Sequence, residues 1–287
     1  MTQTPEKAYK NLSFLTSAPA RTIRILCEYE EPRQRFQANG IRDTIVFFGS
    51  ARAHPRDVAE QRLADARHRV AAHPDDPDAQ HALRHAEAGL GMSTYYEQAR
   101  ELARRLAQWS VYRDSRHRYT ICTGGGPGIM EAANRGASEV EGARSIGLGI
   151  SLPFEPGVNE YVSRELGFEF HYFFMRKLWF VYLMKAMVVF PGGFGTLDEL
   201  FESLTLMQTG KVKHEIPIVL FGTAYWERVI GLEAMLYTLE MLRADLTDPA
   251  AGPLVEAVAW EGEVLLDEGP GHAGPGDVVR WVGTRAG

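Results

Sequence analysis

Twice along this chain an apolar run breaks into a cluster of glycines and the sequence resumes with helical spacing. Tyr119-Thr-Ile-Cys122 leads into Thr123-Gly-Gly-Gly-Pro-Gly-Ile-Met-Glu131, and Met187-Val-Val-Phe190 leads into Pro191-Gly-Gly-Phe-Gly-Thr-Leu-Asp-Glu-Leu200. A buried strand, a glycine turn and a helix start restrict the fold sharply. The first-turn N–H groups of a helix have no partners inside it, and glycine lets an anion approach the backbone closely. Thr196 can add a hydroxyl to such a cradle. Glu199 sets the second turn apart, because a carboxylate beside a bound phosphate is electrostatically costly. It points to chemistry on the part of the ligand next to the phosphate. The competing explanation is local: Thr196-x-x-Glu199 fits a capping box, in which threonine caps the helix and glutamate reaches back.

Six short runs read as strands: Asp43–Phe48, Tyr119–Cys122, Ser145–Leu152, Phe168–Phe173, Met187–Phe190 and Ile216–Phe221. Helical patterns separate them, which predicts an α/β fold with a doubly wound, Rossmann-like parallel sheet. In such sheets ligands bind beyond the carboxyl ends of the strands, so the glycine turns should converge on one crevice. The expected organisation is a single domain over 41–267 with an extension over 1–40 and a Gly/Pro-rich tail over 268–287. A helix from Arg21 to Gln37 should pack the extension on the body. Residues 55–91 read as a helical hairpin inserted on the rim, with arms Ala59–Ala72 and Asp78–Ala88 joined by His73-Pro-Asp-Asp-Pro77. Its histidines, His68, His73, His81 and His85, lack the carboxylate or cysteine spacing of a metal site and read as solvated helix faces.

The 287 residues suffice for a sizeable core, and 45% hydrophobic with 24% charged residues is ordinary for a globular protein. A net charge of −6 argues against a nucleic-acid partner. Two distant cysteines, Cys27 and Cys122, fit a reducing cytoplasm. The opening residues lack a signal-peptide core, and the apolar stretch Leu178–Phe190 contains Lys185 and is too short to span a membrane.

Several familiar chemistries fail in detail. The first glycine turn has Ile129 where a dinucleotide fingerprint needs its third glycine, and the next strand ends in Ser151-Leu152 with no acid for a ribose diol. Neither turn ends in the Gly-Lys-Ser/Thr of a P-loop. No Gly-x-Ser-x-Gly elbow occurs, and His214-Glu215 is not followed by the second histidine of a zinc protease. Lys177 and Lys185 raise a pyridoxal phosphate Schiff base, but Lys185 falls in a helical pattern and nothing marks an acidic partner for a pyridine nitrogen. Two glycine turns without these signatures suit a mononucleotide or sugar phosphate. Met175-Arg176-Lys177 opens an apolar helix that should be buried, and cations at a helix start oppose its dipole. They therefore call for an anion, which is a ligand or a structural partner such as Glu199 or Glu169.

Arg176-Lys177, the fifteen-residue step to Pro191, and Pro-Gly-Gly-x-Gly-Thr-x-x-Glu together resemble the LOG (Lonely Guy) phosphoribohydrolase family. Gly124-Gly-Gly-Pro-Gly-Ile-Met130, Gly49-Ser50 and Thr205-x-x-Gln208-x-Gly210 fit as well, so the resemblance covers roughly residues 42–225. Members have often been labelled lysine decarboxylases. The resemblance implies hydrolysis of the N-glycosidic bond of a nucleoside 5′-monophosphate to free base and ribose 5-phosphate, with no cofactor or metal. Its substrates would be AMP-like purine nucleotides or cytokinin riboside monophosphates, and related proteins form homo-oligomers. The extension, the insertion, Phe174-Met175 and Asp198 resemble the longer bacterial branch. On this footing Glu199 is the catalytic carboxylate and Arg176 positions it and the substrate. Gly192, Gly193, Gly195 and Thr196 hold the phosphate, helped by Gly125 and Gly126. Lys177 is a weaker partner, Ser50 and Asn159 are substrate contacts, and Met175 lies near the base. The alternative is a non-catalytic nucleotide sensor on the same fold.

Overall fold

The computed structural model describes residues 5–151, 157–212 and 216–231. Six strands form one sheet: β1 (Asp43–Phe48), β2 (Tyr119–Thr123), β3 (Ser145–Ile150), β4 (Gly167–Phe170), β5 (Met184–Val189) and β6 (Ile218–Leu220). The order is β4-β3-β2-β1-β5-β6 and every neighbouring pair is parallel. The helices among the described residues are α1 (Leu12–Leu15), α2 (Arg21–Ala38), α3 (Arg56–Ala72), α4 (Pro77–Val111), α5 (Ile129–Ser138), α6 (Phe173–Leu183), α7 (Phe194–Gln208) and α8 (Thr223–Ile230).

Alternation along the central strand explains why helices cover both faces. Side chains of a strand point alternately to opposite sides. Val46 and Phe48 of β1 enter one core with Trp179 and Phe180 of α6 and Leu200 of α7. Ile45 and Phe47 enter the other with Tyr96 and Leu106 of α4 and Ile129 of α5. A strand apolar on both faces is stable only between two helical layers. On the second face α4 and α5 pack through small residues. A Cβ at Gly136 would lie 2.0 Å from the Arg100 carbonyl oxygen, so the backbones meet more closely there than any side chain allows.

Several boundaries differ from expectation. The chain leaves the sheet after Phe170, because the Glu28 carboxylate of α2 accepts the backbone N–H groups of His171 (2.9 Å) and Tyr172 (3.2 Å). Phe173 therefore opens α6, and Met175-Arg176-Lys177 sits within its first turns. This helix is not buried all round: Met175, Trp179, Phe180 and Leu183 face the core, while Phe173, Phe174, Leu178 and Tyr182 are exposed. The chain enters β5 at Met184, so Lys185 lies on a strand, 3.7 Å from the Asp43 carboxylate. The second arm of the hairpin does not stop at Ala88 but runs on through α4 to Val111, so the insertion and a core helix are one rod. His214, Glu215 and the tail lie outside the described residues.

Candidate functional site

Adjacent strands β2, β1 and β5 carry the three glycine-bearing ends. Connections run outward from β1 in both directions, and a crevice opens at such a switch point. Ser50 ties the ends together through its backbone: its N–H donates to the Pro191 carbonyl (2.9 Å), and its carbonyl accepts from Ile129 N–H (3.0 Å). Gly128 permits this contact. Its φ is +74°, and a Cβ there would lie 2.2 Å from the Ser50 oxygen. Gly128 is also the cap of α5, and Pro127 precedes the helix.

A buried polar network shapes the first turn. Thr123 Oγ1 donates to Asn134 Oδ1 (2.7 Å) and accepts from Gly125 N–H (2.8 Å). Asn159 Nδ2 lies within 3.0 Å of the Gly125 and Gly126 carbonyls and 2.9 Å from Asn134 Oδ1. The structure thus places Asn159 and Gly125 in the framework of the turn, where their groups are already engaged.

The second turn overturns the capping-box explanation. Gly193 caps α7 without a side-chain bond, and the Thr196 and Leu197 N–H groups bond the Gly193 carbonyl at 3.0 and 3.1 Å. Thr196 is then the third helical residue and Glu199 the sixth, too deep to reach back. Thr196 is buried with its Oγ1 against Gly192, where a Cβ would lie 2.2 Å away. Gly193 and Gly195 face open space. The buried positions of α7 are Thr196, Glu199, Leu200, Ser203, Leu204 and Met207. Glu199 therefore stands on the core-facing stripe of an amphipathic helix, with 6% of its surface exposed.

Burial pushes the Glu199 carboxyl up to about 7, against the charges of Arg176 and Lys177, which favour its ionised form. Both cations come from α6. Arg176 Nε donates to the Leu148 carbonyl of β3 (2.8 Å), and its guanidinium lies on the first turn, where a Cβ at Gly124 would sit 2.6 Å from Nη2. Arg176 thus links the first glycine turn to the carboxylate of the second. Lys177 Nζ lies 2.8 Å from both the Asp198 and Glu202 carboxylates, on either side of Glu199 along α7. Burial lowers its affinity for a proton, but those two bonds outweigh it and hold Lys177 above the ordinary lysine value. Met175 is buried in the core beneath this pair of helices.

Beyond Pro191 and Gly192 opens a cavity of about 710 Å³, bounded on its far side by α3 and α4. Ser50 belongs to its wall, as does Tyr225, whose hydroxyl donates to the Gly192 carbonyl. Arg52, Arg62 and Arg69 line it. The four hairpin histidines are exposed, as their reading as solvated helix faces expects, but that reading does not single out the arginines of this wall. The visible signal was Arg62 and Arg69 at heptad spacing on one helical face beside alanines.

The parallel sheet, the paired glycine turns at its switch point and the buried carboxylate beside an arginine define an α/β protein with a Rossmann-like fold and a crevice at the switch point. A family model described as "Possible lysine decarboxylase" matches residues 130–253. The matched stretch holds Arg176, Lys177 and Glu199, which belong to the motifs that resemble the LOG family. No curated protein matches the chain. The residues do not fit the lysine chemistry in the description's wording. Lys177 is protonated between two carboxylates and Lys185 faces Asp43 on a strand, so neither offers a free amine to a Schiff base.

Proposed function

We propose that the protein is a nucleoside 5′-monophosphate phosphoribohydrolase, acting on AMP-like purine nucleotides or cytokinin riboside monophosphates. The observation that carries this is Glu199: a carboxylate held on the buried stripe of α7, two turns inside an anion-ready helix start and electrostatically coupled to Arg176. Such a group costs stability, and a cradle that only bound phosphate would have no use for it. The 5′-phosphate sits at the Gly193–Thr196 start of α7, where exposed glycines leave the backbone accessible. The ribose then lies toward Glu199 and Arg176.

Hydrolysis proceeds through an oxocarbenium-like sugar, as in glycoside hydrolysis. The C1′–N bond breaks with its electron pair leaving on the base, and the base gains a proton. Water adds to C1′ and gives up a proton. Glu199, ionised, stabilises the cationic sugar and orients that water, while Arg176 holds the carboxylate in register. The free thiols Cys27 and Cys122 fit a cytoplasmic setting, and no helix among the described residues is long and apolar enough to cross a membrane. The exposed apolar side of α6 fits assembly with further copies of this chain.

The test is incubation with AMP, GMP, CMP, UMP and a cytokinin riboside monophosphate, with free base and ribose 5-phosphate measured. Release from at least one is expected. Binding of nucleotides without release from any of them would establish a sensor instead.

A further inference from the structure

The cavity beside Gly192 has a basic wall. The chain carries a net charge of −6, yet Arg52, Arg62 and Arg69 converge here with His54 and His85, against the single carboxylate of Asp65. Among the described residues none of the three arginines has a carboxylate within salt-bridge distance. Asp65 accepts from the Gln61 side chain (2.9 Å), and Arg62 contacts only the ring of His54. Other arginines of the same helices are paired, as in Arg56 with Glu60 and Arg104 with Glu101. Like charges that outnumber the counter-charge around one space raise each other's energy and mark a place for an anion.

The space is kept open by small residues. Arg62 and Arg69 of α3 flank Ala66 on one face, and α4 presents Ala82, Ala86 and Gly89 opposite. Larger side chains at those positions would close the gap between the two helices. The inner wall is Pro191 and Gly192, so the cavity adjoins the Gly193 cap of α7. An arginine fork is the side chain best matched to phosphate oxygens.

We propose that this cavity is a second anion subsite that takes a polyphosphate group, in continuation of the 5′-phosphate position at the start of α7. It rests on the phosphoribohydrolase reading for the position of that first phosphate, but not for its own charge pattern. The polyphosphate has two sources: the 5′-chain of a longer nucleotide substrate, or a separate phosphorylated molecule bound beside the monophosphate.

The experiment uses inorganic tripolyphosphate as probe, titrated calorimetrically into the full chain and into the exposed pair Arg62→Ala/Arg69→Ala. A second pair, Arg62→Lys/Arg69→Lys, keeps the charge. Binding to the unaltered protein should weaken at least tenfold in the alanine pair and less in the lysine pair, and it should weaken with salt. AMP turnover should stay within twofold in both. If the substrate's own chain fills the subsite, base release from ATP should fall at least tenfold in the alanine pair. If a separate molecule fills it, tripolyphosphate should change the rate with AMP without competing for its site. No binding to the unaltered protein, or equal affinity in all three proteins, overturns the subsite. Arginine-dependent tripolyphosphate binding with no base released from any nucleotide would reject the hydrolase and leave the subsite standing.

Discussion

Glu199 concentrates the physics of the site in one side chain. An ordinary carboxyl near 4.5 is raised to about 7 by burial, so the folded protein holds this proton more tightly than the unfolded chain. With respect to this group, stability is greatest at acid pH. It declines as pH rises from the ordinary carboxyl value through about 7, and it stays reduced above that. The shift corresponds to roughly 3 kcal/mol. Glu199→Gln removes the ionisation while keeping the shape, so its melting temperature should exceed that of the unaltered protein by several degrees at pH 8. The two proteins should melt alike at pH 5, which calorimetry would show. Arg176 makes the complementary case. Arg176→Ala should lower base release at least tenfold with a change of only a few degrees in melting temperature. Its backbone contact to Leu148 is one hydrogen bond, worth about 1 kcal/mol. A large loss of stability with activity retained would make Arg176 a structural ion-pair member only.

The elements show which parts of the fold local sequence can reveal. Strand β1 was legible to the residue, because an unbroken β-branched and aromatic run has only one use. The sheet was legible from glycine turns following such runs. The start of β5 was not: Lys185 masks it, and an apolar run of helix followed by strand has no internal boundary until the chain packs. The cap of α7 was open to two readings for a related reason. Thr-x-x-Glu is a good capping box locally, and only the burial of Glu199 against the sheet moves the cap back to Gly193. Asn159 was legible as a candidate, but its network with Asn134 and Thr123 was not, because the partners come from separate elements. Gly128 tests the geometry they support. Gly128→Ala would place a Cβ against the Ser50 carbonyl at a positive φ, so it should cost more than about 1 kcal/mol of stability. It should also reduce base release, since Ser50 couples the two glycine turns. Stability and activity that both stay unchanged would show that the turns are not held through that contact.

At the scale of the whole molecule, the extension and the hairpin serve the same crevice from opposite sides. Helix α2 fixes the start of α6 through Glu28, whose backbone carbonyl also accepts from Trp179 Nε1 (3.0 Å), and so sets where Arg176 and Lys177 lie. The hairpin of α3 and α4 walls the cavity beyond Gly192. The outer side of α6 exposes Phe173, Phe174 and Tyr182 at 51%, 50% and 62%, more aromatic surface than an isolated chain leaves on one helix without a partner. Sedimentation of the 32.1 kDa chain should give a multiple of that mass, and Phe174→Asp/Tyr182→Asp should shift it toward the monomer. A monomer at micromolar concentration would refute assembly through this face.

In the proposed reaction Glu199 acts as a charged group over the sugar of a bound nucleotide. Base release from AMP or the preferred nucleotide of the panel, measured from pH 5 to 9 for the unaltered protein and Glu199→Gln, addresses that directly. The rate at low substrate should rise with pH around a midpoint near 7, and the variant should be at least a hundredfold slower with no such rise. A folded variant that releases base at a near-normal rate would contradict the assignment.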